Sequence, residues 1–119
     1  MMLFKREYVN GDGEELGVSL TFWCPGCKSG HTIYVGTFDH DTWTWNGDEN
    51  KPTFNPSVLH NGNVTLENAS QEWIDKNPRC HSFVRDGMIQ YLSDSGHALA
   101  GLTVPMEPLP RRYQKFLKD

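Results

Sequence analysis

The chain predicts a small, mainly β domain of hairpins around a Cys-x-x-Cys knuckle resembling that of a zinc ribbon, with one or two short helices, and three observations lead there. Two segments read as strand–turn–strand: Val18 to Thr37 around Cys24-Pro25-Gly26-Cys27, and Cys80 to Leu92 around Asp86-Gly87. The 119 residues are only 37% hydrophobic yet 12% aromatic, which suits one turn-rich domain whose core rests on a few large side chains and benefits from a staple. The three cysteines cannot all pair with one another, and their spacing suits metal ligation better than disulfides.

Residues 1–17 are polar and contain Gly11-Asp12-Gly13, which suggests a flexible lead-in to a single domain spanning residues 1–119. Val18 to Trp23 runs as a strand into the Cys-Pro-Gly-Cys turn, and His31 to Thr37 returns. Thr42 to Trp45 alternates, places both tryptophans on one face, and stops at Asn46-Gly47. The two prolines of Lys51 to Leu59 argue for an extended edge or loop rather than a central strand. A helical turn is expected over residues 69–75, capped by Ser70, with Trp73 and Ile74 packing inward.

In the second hairpin Arg85 should pair with Met88, Val84 with Ile89, Ser82 with Tyr91 and Cys80 with Ser93. Cys80 then shares the core face with Val84, Ile89 and Tyr91, while His81 points the other way. A loop, Asp94-Ser95-Gly96, leads to His97 and on to the strand-like Leu102-Thr103-Val104. Residues 107–119 form a tail or short basic helix.

Formal charge is −4, and no Lys/Arg run extends beyond Arg111-Arg112, so the electrostatic footprint of a duplex-binding protein is missing. No apolar stretch reaches membrane-spanning length, and residues 1–7 do not read as a secretory leader. A cytoplasmic protein without membrane or nucleic-acid partners is the expectation.

Cys-x-x-Cys lets two sulfurs converge on one ion from a tight turn, and tetrahedral zinc needs two further ligands from a second element. Cys80 and His97 supply them: the chain turning through residues 94–96 can swing His97 back toward Cys80. The expected set is therefore Cys24, Cys27, Cys80 and His97, with His81 and His31 as alternatives for the fourth position. A redox pair would want a helix N-terminus behind the first cysteine, and a β–turn–β context does not offer one. Three thiolates make the ion a poor Lewis acid, which favours a closed structural site. Were the protein an enzyme, His81 and Asp94 would be the acid/base groups. No His-Glu-x-x-His helix, Walker loop or Ser-His-Asp arrangement is discernible.

The segments Cys24-Pro25-Gly26-Cys27, Trp43-Thr44-Trp45-Asn46-Gly47, Lys51 to Leu59 and Cys80 to Val104, in this order, resemble a family of small proteins of tailed bacteriophages and prophages, some of which carry the label ammonia monooxygenase. The resemblance covers roughly residues 20–106, and Cys24, Cys27, Cys80, His81 and His97 all match its motif positions. It implies a phage origin and expression in a host cytoplasm, and no particular activity; neither a membrane span nor a copper site supports the label. Lys28-Ser29 stands where some relatives carry a further cysteine. The expected function is a zinc-stabilised binding or inhibitory module acting on a host protein such as a defence component. The alternatives are a zinc-dependent hydrolase of a small molecule or nucleotide and, behind it, a nucleic-acid-binding zinc ribbon.

Overall fold

A computed structural model describes residues 2–62 and 67–111. Two antiparallel sheets face each other. The first runs β1 (Leu3–Val9), β2 (Glu15–Cys24), β3 (Ser29–Gly36), in that spatial order. The second has five strands in the order of the chain: β4 (Thr44–Trp45), β5 (Phe54–His60), β6 (Cys80–Arg85), β7 (Met88–Tyr91) and β8 (Thr103–Pro105). Helix α1 (Gln71–Lys76) lies between β5 and β6 in sequence.

The inner faces are built by period-two alternation. Leu20, Phe22 and Ile33 of the first sheet meet Phe54, Val58, Val84, Ile89 and Tyr91 of the second, all buried. Phe22 and Phe54 join the sheets, with ring centroids 5.8 Å apart. Burying such a phenylalanine contributes about 1.5–3 kcal/mol.

The β6–β7 hairpin has the expected register for Arg85–Met88, Val84–Ile89 and Ser82–Tyr91. Its turn is tight because Asp86 and Gly87 both take positive φ, 48° and 73°. The Cys-Pro-Gly-Cys turn likewise joins β2 to β3.

Three expectations change. Residues 1–17, read as a flexible lead-in, carry β1, which pairs with β2 from Leu3↔Phe22 to Val9↔Glu15 and buries Leu3. The proline-bearing segment forms β5, second in its sheet: it is central where Phe54 and Asn55 pair with β4, and has the expected edge character from Ser57 on. Pro56 falls between Phe54 and Val58, where the register to β6 shifts, so its missing N–H breaks no regular ladder. Ser70 does cap α1, accepting from the Trp73 N–H at 3.2 Å, but Trp73 is 43% exposed rather than packed inward. Of the tail, Leu109 is buried; residues 112–119 lie outside the described residues.

Candidate metal centre and catalytic triad

Cys24 and Cys27 sit at the tip of the first hairpin, Cys80 opens β6, and His97 follows the 94–96 loop. Their ligand atoms all lie within 4.8 Å of one another, close enough to hold a metal ion. Cys24 Sγ is 3.8 Å from Cys80 Sγ, and His97 Nε2 is 3.4 Å from Cys80 Sγ. Tetrahedral thiolate sites with metal–sulfur bonds of about 2.3 Å place sulfurs roughly 3.8 Å apart.

The surroundings are built for sulfur. The Cys27 N–H points at Cys24 Sγ at 3.3 Å, and Tyr91 Oη lies 3.1 Å from the same sulfur. The Leu99 N–H donates to His97 Nδ1 at 3.2 Å and turns Nε2 toward Cys80. A Cβ on Gly26 would come within 2.4–2.6 Å of the His97 ring, so only glycine leaves the ring its place.

The protonation chemistry points the same way. Hydrogen bonds from Cys27 and Cys80 hold the Cys24 thiol far below its usual range, against the pull of desolvation. Bonding to that thiolate pushes Cys27 up to about 12 and Cys80 higher still. The protein alone thus favours one thiolate, and a cation held here would let all three sulfurs ionise. Burial lowers the pKa of His97, favouring the neutral ring that a metal requires.

On the opposite face of β6 lies a second constellation. His81 and Leu59 are register partners, which puts Ser57, two residues earlier on β5, on the face of His81. Ser57 Oγ is 3.0 Å from His81 Nε2, and His81 Nδ1 is 3.1 Å from Asp94 Oδ2. An ionised carboxylate only accepts, so Nδ1 carries the proton and Nε2 of the neutral ring accepts from the Ser57 hydroxyl.

Asp94 is fixed from a second direction. Arg79 Nε and NH2 each reach Oδ2 at 3.0 Å, while NH1 donates to the Gly62 carbonyl at 2.8 Å. Desolvation pushes the Asp94 carboxyl up, but hydrogen bonds from His81 and Arg79, with their charges, outweigh it and leave the group below its ordinary value. Ser95 clips the loop to β6: the His81 N–H donates to its Oγ at 3.1 Å, and its hydroxyl donates to the His81 carbonyl at 3.0 Å.

A Ser-His-Asp arrangement, not discernible in the sequence, is therefore present in the fold. His81 and Asp94 stand together, and the residue that sequence reasoning missed is Ser57. The prolines on either side of Thr53 and Phe54 obscured the strand. Aligning Val58-Leu59 against His81-Ser82 would have put the hydroxyl on the histidine's face. His81 thus has both ring nitrogens engaged outside the sulfur cluster. His31 is buried beside it, 2% exposed, near enough to Cys24 to favour its thiolate and 4.3 Å from the His60 ring, centroid to centroid. Neither of its nitrogens has a hydrogen-bond partner among the described residues.

Residues 3–92 match the family model described as bacterial ubiquitination-like system serine protease (BubE). The chain belongs to this family. The BubE match includes Ser57, His81 and the three cysteines, and stops just before Asp94. No curated protein and no solved structure matches the chain. No helix among the described residues is long and apolar enough to cross a membrane.

Proposed function

We propose that the protein is a serine peptidase acting on a protein substrate of a bacterial ubiquitination-like system, with Ser57 as nucleophile, His81 as general base and acid, and Asp94 as the orienting carboxylate. The observation that carries this is the continuous relay from Ser57 Oγ to His81 Nε2 (3.0 Å) and from Nδ1 to Asp94 (3.1 Å). The match to a family described as serine proteases supports it. So does exposure: the His81 side chain is 23% and Asp94 42% accessible, open to a macromolecule.

Ser57 Oγ attacks the scissile carbonyl carbon as its proton passes to His81 Nε2. The tetrahedral intermediate collapses to a Ser57 ester, and the leaving amine departs with the proton from Nε2. Water then attacks the ester, giving its proton to Nε2, and Ser57 recovers a proton as the acid product leaves. Asp94 holds the Nδ1 tautomer and faces the transient imidazolium.

The ion is zinc in this proposal, because three sulfurs and one imidazole are a zinc donor set. Its role is structural. The thiolates weaken it as a Lewis acid, and Cys80 projects from the opposite face of β6 to His81. Bound there, zinc would supply a cross-link between the first hairpin, β6 and the loop that carries Asp94. The reading as an inhibitory module docking on a host protein depends on the absence of a catalytic set, and the Ser57 relay supplies one. A phage or prophage origin concerns where the gene resides and leaves this chemistry unchanged.

The test is activity-based labelling. A fluorophosphonate should modify the wild-type protein at Ser57, and neither Ser57→Ala nor His81→Ala should react. Labelling that persists in Ser57→Ala, or a folded wild type that never reacts, would count against the proposal.

A further inference from the structure

Beyond Ser57, whose carbonyl is taken by Trp43, strand β5 has an edge that no described strand covers. β4 supplies only Thr44 and Trp45, opposite Asn55 and Phe54, so among the described residues no strand flanks Ser57 to His60 on that side. The direction of the backbone groups there follows from β6. The His81 N–H donates to Ser95 Oγ and its carbonyl accepts from the Leu92 N–H, both on the β7 side. Leu59, the register partner of His81, therefore occupies a non-hydrogen-bonded position of the β5–β6 ladder, and its own N–H and carbonyl point away from β6. Ser57 shares that direction: its carbonyl accepts from Trp43 Nε1, which reaches it at 3.1 Å from the β4 side. Among the described residues no strand takes the Leu59 donor and acceptor, which lie two residues along the strand from Ser57. The Leu59 side chain, 46% exposed, lies on the face of Ser57 and His81.

We propose, resting on the peptidase activity assigned to Ser57, that the acyl-side segment of the substrate binds extended, as an antiparallel strand added to this edge. Every strand pair in the sheet is antiparallel, and the new strand continues that pattern. Call P1 the residue whose carbonyl is attacked. With P1 beside Ser57, where Trp43 already holds the Ser57 carbonyl and P1 makes no bond to it, antiparallel geometry puts P3, two residues toward the substrate's N-terminus, opposite Leu59. The P3 N–H donates to the Leu59 carbonyl, and the P3 carbonyl accepts from the Leu59 N–H. Directly paired side chains share a face, so the P3 side chain lies against exposed Leu59 and is apolar. The P2 and P4 N–H groups point away from β5 and make no bond to it. The substrate class is accordingly a protein whose cleavage site follows at least three residues free of other secondary structure.

The experiment uses the full chain with its metal and internally quenched octapeptides, chosen from a randomised mixture as cleaved by wild type and not by Ser57→Ala. Single N-methyl groups are then placed at P2, P3 and P4 of a cleaved peptide. Methylation at P3 should lower kcat/KM about tenfold, the worth of one good hydrogen bond, with P2 and P4 far less affected. A second arm exchanges Leu59 for Glu, which faces solvent: the ratio of kcat/KM for Lys or Arg over apolar residues at P3, taken within the variant so that any change in overall activity cancels, should rise. Equal losses at P2 and P3, or an unchanged P3 preference in Leu59→Glu, would overturn the docking mode and leave the peptidase standing. Peptide cleavage that is never Ser57-dependent, together with failed labelling, would remove both.

Discussion

Cys80 and His81 are chain neighbours that serve opposite faces of β6: the Cys80 sulfur joins the cluster between the sheets, and the His81 imidazole bridges Ser57 and Asp94 outside. The same holds a few residues later, where Asp94 goes to the outer constellation and His97 to the inner one. Two short segments, 80–81 and 94–97, therefore tie the Cys/His cluster and the Ser57–His81–Asp94 constellation into one unit. Anything that loosens the cluster should displace the histidine and the carboxylate together.

The triad predicts a graded loss. Ser57→Ala and His81→Ala should abolish turnover, because nucleophile and base act as one unit. Asp94→Asn should retain the fold yet lower kcat by about 10⁴-fold, since an amide cannot hold the same histidine tautomer. Kinetics on a Ser57-dependent peptide substrate decide this, with circular dichroism confirming that each variant folds. A loss under tenfold in Asp94→Asn would argue against the relay.

Metal removal predicts coupled loss. About one zinc per chain is expected by elemental mass spectrometry, and a strong chelator should lower the melting temperature and the rate of fluorophosphonate labelling together. Cys80→Ser should behave like the chelated protein. Retained labelling in a protein stripped of metal would uncouple the two sites.

Gly26→Ala isolates one contact of that cluster. The new methyl would have to share space with the His97 ring, 2.4–2.6 Å from three of its atoms. The ring can yield only by leaving its position beside Cys80. Displacing an orienting contact of this kind costs about 10- to 100-fold in metal affinity. Competition with a chromogenic zinc chelator measures it, and unchanged affinity would mean that His97 is not held there as a ligand.

Acid should expose the contribution of Asp94. Its pKa in the fold lies below the usual carboxylate value, so the stability it adds is present above about pH 4, where the unfolded group is ionised. That contribution is lost as pH falls through the lowered folded value, where the carboxyl takes up a proton and gives up its bonds to His81 and Arg79. The difference in melting temperature between wild type and Asp94→Asn should therefore shrink below about pH 4. A difference that grows on acidification would contradict the geometry.

Much of the fold was legible in residues 18–37 and 80–92, because Pro25-Gly26 and Asp86-Gly87 are turns whose geometry fixes the register of the flanking strands. The same register, with His97 swung back by the 94–96 loop, let the sulfur cluster be anticipated. β1 was not legible, since Lys5, Arg6 and Glu7 face solvent and only pairing with β2 makes Leu3 a core residue. Ser57 escaped for a related reason. Its partner His81 is 24 residues away, and the pairing of β5 with β6 that joins them is interrupted at Pro56.

Ser95 offers the cleanest separation of catalysis from folding. Its hydroxyl both accepts from the His81 N–H and donates to the His81 carbonyl, and it is 8% exposed, so water replaces those bonds poorly. Ser95→Ala should lower stability by about 1–3 kcal/mol, the cost of leaving buried backbone groups unpaired. It should also free the Asp94 side of the loop, so that kcat falls while KM stays within about twofold, as expected when only transition-state interactions are lost. Ser95→Thr keeps the hydroxyl and should restore most of both. Denaturant melts and steady-state kinetics on the two variants distinguish the outcomes. If Ser95→Ala loses stability with kcat intact, the clip holds the chain together without positioning Asp94.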